Sequence, residues 1–519
     1  MKSLNLKNIP VLAVIAFAVS ALTSCVEEKI QITALYLDTM ELYLDVGESH
    51  QLVASVRPED APVTFRWFSS DESIATVSQD GLVTLVSDGT ATVTAMWGSY
   101  RRSCVVSTAG IKLDRNKVFM TPGSETVLTA TLQPADESAV LQWSSSDDDI
   151  AVVDESGKVS YVSEGEAAIT VSYKTYSASC RISCVGKNPW DFRNALANPL
   201  SNSLIYSKNV LLCHEYRIMQ GFDIMPDGVM YYSQVSPDGK DVVICRADGA
   251  GQSAGTQYMT MRYFGHGTQF SVERAADGDY IWLGSNGVET NGEYGDNLSF
   301  SRVKFAAGTL FEHSAGQTFF LTGTGEYDLQ VSVDFESKRL LLGTRKGGNR
   351  NFRVFDLEQV MALPEKNIDV TMKVEGQTQD KTVPESRDLS ECEPLAGFSI
   401  PAGVNKDTDV YSYSHQGHEV VGDYIYFYEG NAVEDGSEYY SKAYLTTFTY
   451  GGDIVVPRTE VMAVSDKADL KTFGLTDKGY AEAESLKIKN GRLYLGFACH
   501  NGPGTRRYAN VLVYDGEIQ

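Results

Sequence analysis

The 519-residue chain is poor in basic residues, with 44 Lys and Arg against 68 Asp and Glu and a formal net charge of −24. Proteins that bind nucleic acid need clustered Lys and Arg to neutralise the phosphate backbone, and no such cluster stands out here. The deficit argues against nucleic acid, or another polyanion, as a partner. An acidic excess is typical of an exported protein that stays soluble through its charge.

Motifs for metal binding and catalysis are also scarce. The sequence has no His-Glu-x-x-His motif, no Gly-x-x-x-x-Gly-Lys-Ser/Thr phosphate loop and no Cys-x-x-Cys pair. The acidic run Asp147–Asp149 lacks the alternating oxygen ligands and the glycine of an EF-type calcium loop. We therefore predict no metal, no cofactor and no assigned catalytic residue.

Cysteine is used sparingly. Seven cysteines follow Cys25 in the chain, and an odd number cannot all pair with one another. Cys180 and Cys184 lie too far apart on one predicted strand to bridge without distortion. We expect most of the seven to be small buried hydrophobes, and the sequence leaves their disulfide status open.

The N-terminus reads as a targeting segment. Lys2 and Lys7 precede the apolar run 9–22, which is too short to span a bilayer as a mature helix. Its end, Leu22-Thr-Ser-Cys25, resembles the lipobox of bacterial lipoproteins. That resemblance implies a signal peptide at 1–24, acylation of Cys25 as a membrane anchor and a lipidated linker at 25–31. The following Val26-Glu-Glu-Lys resembles the export signal of Bacteroidetes lipoproteins, which implies an outer-membrane lipoprotein exposed on the cell surface.

Residues 32–186 contain an internal duplication with a constant offset of 76 residues. The marker pairs are Gly47 and Gly123, Trp67 and Trp143, Gly81 and Gly157, Gly89 and Gly165, and Cys104 and Cys180. A register kept without insertion indicates two copies of one domain. Apolar and polar residues alternate in short runs between Gly and Asp turns, which predicts two small β-sandwiches at 32–108 and 109–186.

Both copies resemble a known family. Trp67-Phe-Ser-Ser-Asp-Glu-Ser-Ile-Ala-Thr-Val and Trp143-Ser-Ser-Ser-Asp-Asp-Asp-Ile-Ala-Val-Val are similar to the signature of bacterial immunoglobulin-like group 2 domains. Such domains act elsewhere as spacers and sometimes as adhesive modules. Between a lipid anchor and a further domain, we expect a spacer.

From about Leu211 onward one sequence pattern occurs five times. It consists of a polar residue, an apolar strand, a tight turn and an aromatic-rich strand. The copies begin at Gln220, Gln269, Gln330, Gln416 and Glu484. Repeated antiparallel sheets can close on themselves, so 187–519 is predicted to be a five-bladed β-propeller. Two polar insertions, at 366–393 and 431–439, enlarge the blades. The expected fold class is all-β, with two tandem immunoglobulin-like sandwiches before the propeller.

The C-terminal region also resembles known proteins. Met219-Gln-Gly-Phe-Asp, Tyr280-Ile-Trp-Leu and above all Gly265-His-Gly-Thr-Gln269 look like motifs of TagC-like proteins and of receptor-binding proteins of staphylococcal phages. Helveticin-type bacteriocins look similar too. The phage resemblance implies recognition of a cell-surface glycopolymer. A bacteriocin-like role fits less well, because an acylated Cys25 would keep the protein on the producing cell.

The repeated polar residues suggest a binding site. The first strands of a propeller line its channel, so these residues would form a ring at one mouth. Amides offer both donors and acceptors to sugar hydroxyls, although they could instead hold neighbouring blades together. Three histidines fall near the same blade ends, whereas His214, His313 and His415 are expected to be ordinary surface or interblade residues. The candidate ligand-binding residues are Gln220, His266, Gln269, Gln330, Gln416, His418, Glu484 and His500.

An enzyme is the alternative to a binding protein. A glycan hydrolase or lyase would need carboxylates placed across the scissile bond. Carboxylates on the predicted first strands form no family motif, and amides cannot act as general acids or bases. These carboxylates are Asp223, Glu273, Asp334, Glu419 and Glu484. We therefore expect a surface lipoprotein that binds a glycan or another surface polymer.

Overall fold

The computed structural model describes residues 31–198, 203–247, 257–290, 292–435, 438–465, 480–500 and 504–518. The predicted signal peptide, the anchor at Cys25 and most of the linker lie outside these residues. Within the described ranges, no helix combines the length and the apolar composition needed to cross a bilayer. The chain is all-β in character, as predicted, with a few short helices.

The first repeat of the duplicated segment forms nine strands. They are β1 (Ala34–Leu37), β2 (Glu41–Leu44), β3 (Ser49–Gln51), β4 (Ala54–Arg57), β5 (Arg66–Ser69), β6 (Ala75–Val77), β7 (Leu82–Leu85), β8 (Thr90–Trp97) and β9 (Tyr100–Thr108). One sheet has the order β2-β9-β8-β5, another has the order β3-β7-β6, and β1 pairs with β4. Strands β2 and β9 are parallel, and β8 and β9 form an antiparallel hairpin.

Alternation in the sequence explains these strands. Along β8, Ala91, Val93 and Ala95 are buried while the threonines between them are not, because successive side chains point to opposite faces of a sheet. Trp67 and Cys104 join the same apolar core. A Cβ at Gly81 would lie 2.7 Å from the Leu52 carbonyl oxygen and 2.9 Å from the Trp67 ring, so close packing requires glycine at this position.

The second repeat has the same order of strands along the chain as the first. Its strands are β10 (Gly110–Leu113), β11 (Lys117–Met120), β12 (Glu125–Val127), β13 (Ala130–Gln133), β14 (Gln142–Ser145), β15 (Ala151–Val153), β16 (Lys158–Tyr161), β17 (Gly165–Tyr173) and β18 (Tyr176–Cys184). Strand β11 runs parallel to β18 as β2 does to β9. Gly157 approaches Leu128 and Trp143 as Gly81 approaches Leu52 and Trp67. The internal duplication therefore extends to strand order and close packing.

The C-terminal region begins at β19 and holds most of the remaining strands. In chain order they are β19 (Trp190–Asp191), β20 (Ser203–Leu211), β21 (Met219–Ile224), β22 (Met230–Val235), β23 (Asp241–Ala247), β24 (Gln257–Arg262), β25 (Phe270–Ala275), β26 (Gly278–Thr290), β27 (Glu293–Lys304), β28 (Leu310–Glu312), β29 (Gln317–Phe320), β30 (Tyr327–Asp334), β31 (Arg339–Lys346), β32 (Asn349–Asp356), β33 (Lys366–Val374), β34 (Gln377–Asp388), β35 (Ala396–Ile400), β36 (His415–Val421), β37 (Tyr424–Asp435), β38 (Glu438–Thr449), β39 (Ile454–Glu460), β40 (Tyr480–Lys489), β41 (Arg492–His500), β42 (Tyr508–Asp515) and β43 (Glu517–Ile518). Short helices cover Arg193–Ala197, Leu357–Ala362, Leu389–Glu391 and Met462–Ser465.

These strands form five antiparallel-rich sheets, each begun by one of the predicted strand pairs. The sheet orders are β21-β22-β23-β24-β28, β25-β26-β27-β29-β34-β33, β30-β31-β32-β35, β36-β37-β38-β39 and β20-β42-β41-β40. The last sheet is completed by β20, which precedes the other four sheets in the chain and pairs with β42. Strands β19 and β43 also pair. The two ends of the region are thus hydrogen-bonded to each other.

The strands β21, β25, β30, β36 and β40, which we call the first strands of the five sheets, contact one another through polar side chains. Ser332 accepts from the Val420 amide and donates to Glu419, so β30 is joined to β36. Equivalent links join each of the other neighbouring pairs. They are Val272 N to Asp223 (2.8 Å), Val333 N to Ser271 (3.1 Å), Lys487 to Glu419 (2.8 Å) and Lys489 to Asp223 (3.0 Å).

Apolar clusters fill the spaces between successive sheets. Phe270 and Ile281 pack with residues of the preceding sheet, and Val331 and Leu342 pack with Trp282. Corresponding clusters join the third sheet to the fourth, the fourth to the fifth, and the fifth to the first. Each sheet therefore buries both of its faces, which explains why the strands read as nearly continuous apolar runs.

The predicted turns and insertions take definite forms. Asn490 and Gly491 both have positive φ between β40 and β41, as a primed two-residue hairpin turn requires. The insertion at 366–393 contains the hairpin β33–β34, and β34 runs parallel to β29. The insertion at 431–439 lengthens the hairpin of β37 and β38.

Candidate functional site

A polar cleft of about 560 Å³ opens beside the first residues of β30 and β36. It combines carboxylates, arginines, histidines and two tyrosines, and we refer to it as the polar cleft. Its lining residues are His266, Thr268, Gly295, Asp296, Asp328, Gln330, Arg345, Arg350, Ala402, Gly403, Tyr411, Ser412, Tyr413, Ser414, His415 and Asn431.

A strained loop presents His266 to the polar cleft. Tyr263, Gly265 and Gly267 all have positive φ, so the loop before β25 turns sharply around His266. A Cβ at Gly267 would lie 2.7 Å from Val242, and the Gly267 carbonyl accepts a 2.6 Å hydrogen bond from Ser233. The glycines of the Gly-His-Gly-Thr-Gln motif therefore allow the backbone to turn and pack closely, and its histidine faces the polar cleft.

Two arginine–aspartate pairs supply the charge of the polar cleft. The Arg350 Nη2 atom is 3.1 Å from Asp328, and both side chains are nearly fully buried. Asp328 also accepts a 3.0 Å hydrogen bond from the Gln330 amide. The Nε and Nη1 atoms of Arg350 have no hydrogen-bond partner among the described residues. Arg345 lies 3.7 Å from Asp296, and both are part-exposed.

The surroundings of the ionisable groups shift their pKa values. Burial, and then the carboxylate of Asp328, raise the pKa of Asp296. Burial lowers the pKa of His266, and burial followed by the charge of Arg350 lowers that of His415. The imidazoles are therefore neutral at neutral pH, and each can both donate and accept a hydrogen bond.

The loop between β35 and β36 contributes the aromatic wall of the polar cleft. Tyr413 donates its backbone N–H to Glu429 at 3.0 Å, and Glu429 forms a buried 2.7 Å ion pair with Arg458. The Tyr413 ring stacks on Tyr444 at 5.5 Å between centroids. These contacts hold Tyr413 half-buried. A rigid, partly exposed aromatic face next to polar groups suits the apolar face and the hydroxyls of a sugar ring.

A second cleft of about 330 Å³ adjoins His266. Gln220, His500 and Glu482 also line it, and burial raises the pKa of Glu482. His266 therefore borders both clefts. Of the predicted site residues, the structure places Gln220, His266, Gln330 and His500 at these two clefts.

The other predicted site residues lie deeper. Gln269 accepts from the His418 amide at 3.2 Å, and Gln416 donates to the Gly430 carbonyl at 2.8 Å. The His418 side chain is fully buried, with its Nδ1 3.0 Å from Nε2 of His415. Glu484 is buried as well, and burial followed by the charge of Glu482 raises its pKa well above the usual range. These four residues lie inside the protein. The Gln269 bond reaches β36 of another sheet, whereas the Gln416 bond joins β36 to β37 of the same sheet.

The five leading polar residues do not all share one strand register, and the ring at a channel mouth stays a prediction. Gln220, Gln416 and Glu484 fall at register shifts of their strands, where the residue is left out of the ladder. Gln330 instead pairs with Gly343, and Gln269 directly precedes β25. Matching the five copies by residue type therefore aligned residues that occupy different positions in their hairpins.

The carboxylates considered for catalysis have structural partners. Asp223 and Glu419 are buried and paired with Lys489 and Lys487. Glu273 accepts from Arg302 and from the Trp282 indole at 2.9 Å. Asp334 accepts the backbone N–H of Gly422 at 2.8 Å and so lies at a turn. Asp296 and Asp328 are the carboxylates that line the polar cleft.

One serine motif lies between two strands. Gly251-Gln-Ser-Ala-Gly255 has the Gly-x-Ser-x-Gly spacing of a nucleophile elbow and falls outside the described residues. A nucleophile elbow joins a strand to a helix. Here the flanking strands β23 and β24 pair antiparallel with each other.

Several residues of the polar cleft were not predicted from the sequence. His415 was expected to be an ordinary surface or interblade residue and instead lines the cleft with Arg350 and Tyr413. The spacing His415-Gln-Gly-His418 was a usable signal, but the arginines and tyrosines come from separate strands and a loop. No group of three or more His, Cys, Asp or Glu side chains in the described ranges is arranged to hold a metal ion.

Comparison with known proteins identifies the N-terminal repeats. Residues 32–103 and 107–181 each match the bacterial Ig-like domain (group 2), so the predicted domain type is confirmed. An uncharacterized protein of Clostridium acetobutylicum is 31% identical over 164 residues, which are 29% of this chain and 17% of that protein. Lacto-N-biosidase of Bifidobacterium bifidum is 40% identical over 67 residues, 13% of this chain and 6% of the enzyme. The chain thus spans less than a fifth of the length of these curated relatives.

A structural comparison reaches further along the chain. The α-L-arabinofuranosidase from Lactobacillus brevis aligns with 58% of this chain and 94% of its own, at 10% identity and a TM-score of 0.30. A TM-score of this size is too low to assign a shared fold.

Proposed function

We propose that the chain is a cell-surface protein whose C-terminal sheets form a five-bladed β-propeller and bind a glycan, with the two Ig-like domains as a spacer. The propeller is supported by the polar links and apolar clusters between successive sheets, including the fifth and the first. The pairing of β20 with β42 supports it further, because a first strand that completes the last sheet leaves no open edge there.

The observation that carries the glycan proposal is the composition of the polar cleft. Half-buried Tyr411 and Tyr413 lie beside neutral histidines, the amide of Gln330 and two arginine–aspartate pairs. Ligand pockets of several hundred Å³ that combine aromatic faces with a few fixed polar groups are typical of small-ligand sites. Sugar rings present an apolar face and many hydroxyls, which such a lining matches.

A glycan array tests this function. The full chain should retain one class of polysaccharide, and free oligosaccharide of that class should compete. Gln330→Ala should weaken retention because Gln330 lines the polar cleft, whereas Gln377→Ala, at the exposed start of β34, should not. Absence of retention for every polysaccharide on the array would contradict the proposal.

Surface attachment is proposed from the sequence. The lipobox-like Leu22-Thr-Ser-Cys25 supports acylation of Cys25, and the acidic residues after it support display outside the outer membrane. Metabolic labelling with palmitate should mark the wild-type chain and not Cys25→Ala. Equal labelling of both would refute an anchor at Cys25 while leaving the glycan proposal intact.

A glycan hydrolase is the second candidate function, favoured by Asp296 and Asp328. Both carboxylates line the polar cleft, and burial raises the pKa of Asp296, as the general acid of a hydrolase requires. Release of reducing ends from the retained polysaccharide, abolished in Asp296→Asn, would support hydrolysis. Retention without any release would assign the cleft to binding alone.

A further inference from the structure

Two cysteine thiols lie side by side in the C-terminal region. Cys213 follows β20, Cys245 lies within β23, and their Sγ atoms are 3.1 Å apart. A disulfide bond is about 2.0 Å long, so a small side-chain movement separates this arrangement from a covalent bridge.

The segment that carries Cys213 is held in place from the neighbouring sheet. Gln234 of β22 donates to the carbonyl oxygens of His214 (3.0 Å) and Arg217 (2.8 Å). The same amide accepts from the His214 backbone N–H at 3.0 Å. Cys245 is fully buried beneath this segment, whereas Cys213 is part-exposed. The Gln234 amide thus holds the backbone of this segment beside Cys245, and its oxygen also accepts from the Cys213 thiol at 3.1 Å.

We propose that Cys213 and Cys245 form an intramolecular disulfide in the oxidised protein. The oxidant is a disulfide compound such as glutathione disulfide. The Cys213 thiolate attacks one of its sulfurs, releases one thiolate and forms a mixed disulfide. The Cys245 thiolate then attacks Cys213 and releases the second thiolate. One disulfide is formed and one is reduced, and the two cysteine protons end on the two released thiols.

The surroundings of the two thiols determine which one attacks the oxidant first. A hydrogen bond from Cys245 lowers the pKa of Cys213, while burial raises that of Cys245. Cys213 is also the more accessible of the two, so it is the attacking group and Cys245 the resolving group.

The disulfide would form near the point where the two ends of the C-terminal region are hydrogen-bonded to each other. β20 belongs to the last sheet through β42, and Cys245 belongs to the first sheet. The bond would therefore tie the segment that leaves the last sheet to the first sheet. An export compartment favours such bonds, because thiols are not kept reduced there.

Peptide mapping tests the proposal directly. Trypsin should release Asn209–Arg217 and Asp241–Arg246, each with one of the two cysteines. The full chain is refolded with glutathione disulfide, treated with N-ethylmaleimide and digested. We expect one linked pair of these peptides, lighter than their sum by two hydrogen atoms, and its loss on reduction. Both peptides carrying N-ethylmaleimide, or either joined to another cysteine, would overturn the proposal.

Variants and stability provide the second measurement. The linked pair should vanish in Cys213→Ser and in Cys245→Ser and persist in Cys104→Ser, which alters a buried cysteine of the first Ig-like domain. Dithiothreitol should lower the thermal midpoint of the wild-type C-terminal region by roughly 5 °C. It should leave the doubly substituted chain unchanged. An equal shift in both would show that the reductant acts elsewhere.

Discussion

The Ig-like repeats and the C-terminal sheets are stabilised by different interiors. Across the described residues 31–186, Ser107 is the one polar residue that is buried. The C-terminal sheets bury many polar and charged side chains, including Asp223, Glu419 and Lys487 on their first strands. Both regions are all-β and both bury large apolar clusters, so the difference lies in what occupies the centre.

This difference separates two uses of a β-fold. An apolar sandwich is stabilised by packing and buries few polar or charged side chains, which suits a spacer. Five sheets that meet at their first strands leave a narrow space where backbone amides and side chains must find partners, because an unpaired buried polar group costs about 1–3 kcal/mol.

The largest effect should come from breaking a central ion pair. Lys487 and Glu419 are both almost completely buried and 2.8 Å apart. Lys487→Met should lower the free energy of unfolding of the C-terminal region by about 3–5 kcal/mol, because the buried Glu419 loses its ion-pair partner. Calorimetry should show this loss in one transition and leave that of the Ig-like domains unchanged.

A double substitution sharpens the result. Lys487→Met with Glu419→Met removes both charges, and most of the lost stability should return. If Lys487→Met alone costs less than about 1 kcal/mol, the buried pair does not distinguish this interior from that of the Ig-like domains.

The Ig-like interior should instead be sensitive to a single methyl group. Gly81→Ala would place Cβ 2.7 Å from the Leu52 carbonyl and 2.9 Å from Trp67 at a positive φ. Gly47 has nearly the same φ with no atom within 4 Å of such a Cβ, so Gly47→Ala isolates the backbone cost. We expect losses of about 3 kcal/mol and about 1 kcal/mol respectively, measured by urea unfolding. Equal losses would show that packing against Trp67 is not limiting.

A smaller effect concerns the one carboxylate among the five leading polar residues. Burial raises the pKa of Glu484 in the folded chain above its unfolded value near 4.3. Its contribution to stability is therefore full below that unfolded value and is lost as pH rises through the folded pKa. Glu484→Gln stays neutral, so it should exceed the wild type in stability by about 1–2 kcal/mol at about pH 8 and match it at about pH 4.

The pH dependence is the informative measurement for Glu484. Urea midpoints of the C-terminal transition should converge at low pH and separate at high pH. Glu137→Gln, at an exposed position of the second Ig-like repeat, should remain parallel to the wild type. A wild type more stable than Glu484→Gln at high pH would mean that Glu484 is charged and paired.

Much of the fold was predictable because local patterns determine it. The offset of 76 residues marked both Ig-like repeats, and the alternation of β8 marked its buried face. The five strand pairs were predicted from apolar runs around turns such as Asn490-Gly491. The pairing of β20 with β42 within the last sheet was not, since it joins residues some 300 positions apart and carries no local signal.

The candidate site was predictable only in part. Gln330 and His266 stood out through the repeat and the glycine motif, and both line the polar cleft. The register shifts at Gln220, Gln416 and Glu484 depend on hairpin geometry, so residue type alone could not show which polar residues are equivalent. Arg350, Asp328 and Tyr413 converge through tertiary packing of β30, β32 and a long loop.

The polar cleft is the proposed binding site for the glycan. Titration calorimetry should compare the full chain with Tyr413→Ala and with Tyr258→Ala, a part-exposed tyrosine of β24 outside the cleft. For the polysaccharide retained on the array, Tyr413→Ala should weaken binding about tenfold, or about 1.4 kcal/mol, and Tyr258→Ala should leave it unchanged. Unchanged affinity in Tyr413→Ala, with binding otherwise intact, would contradict the polar cleft as the binding site.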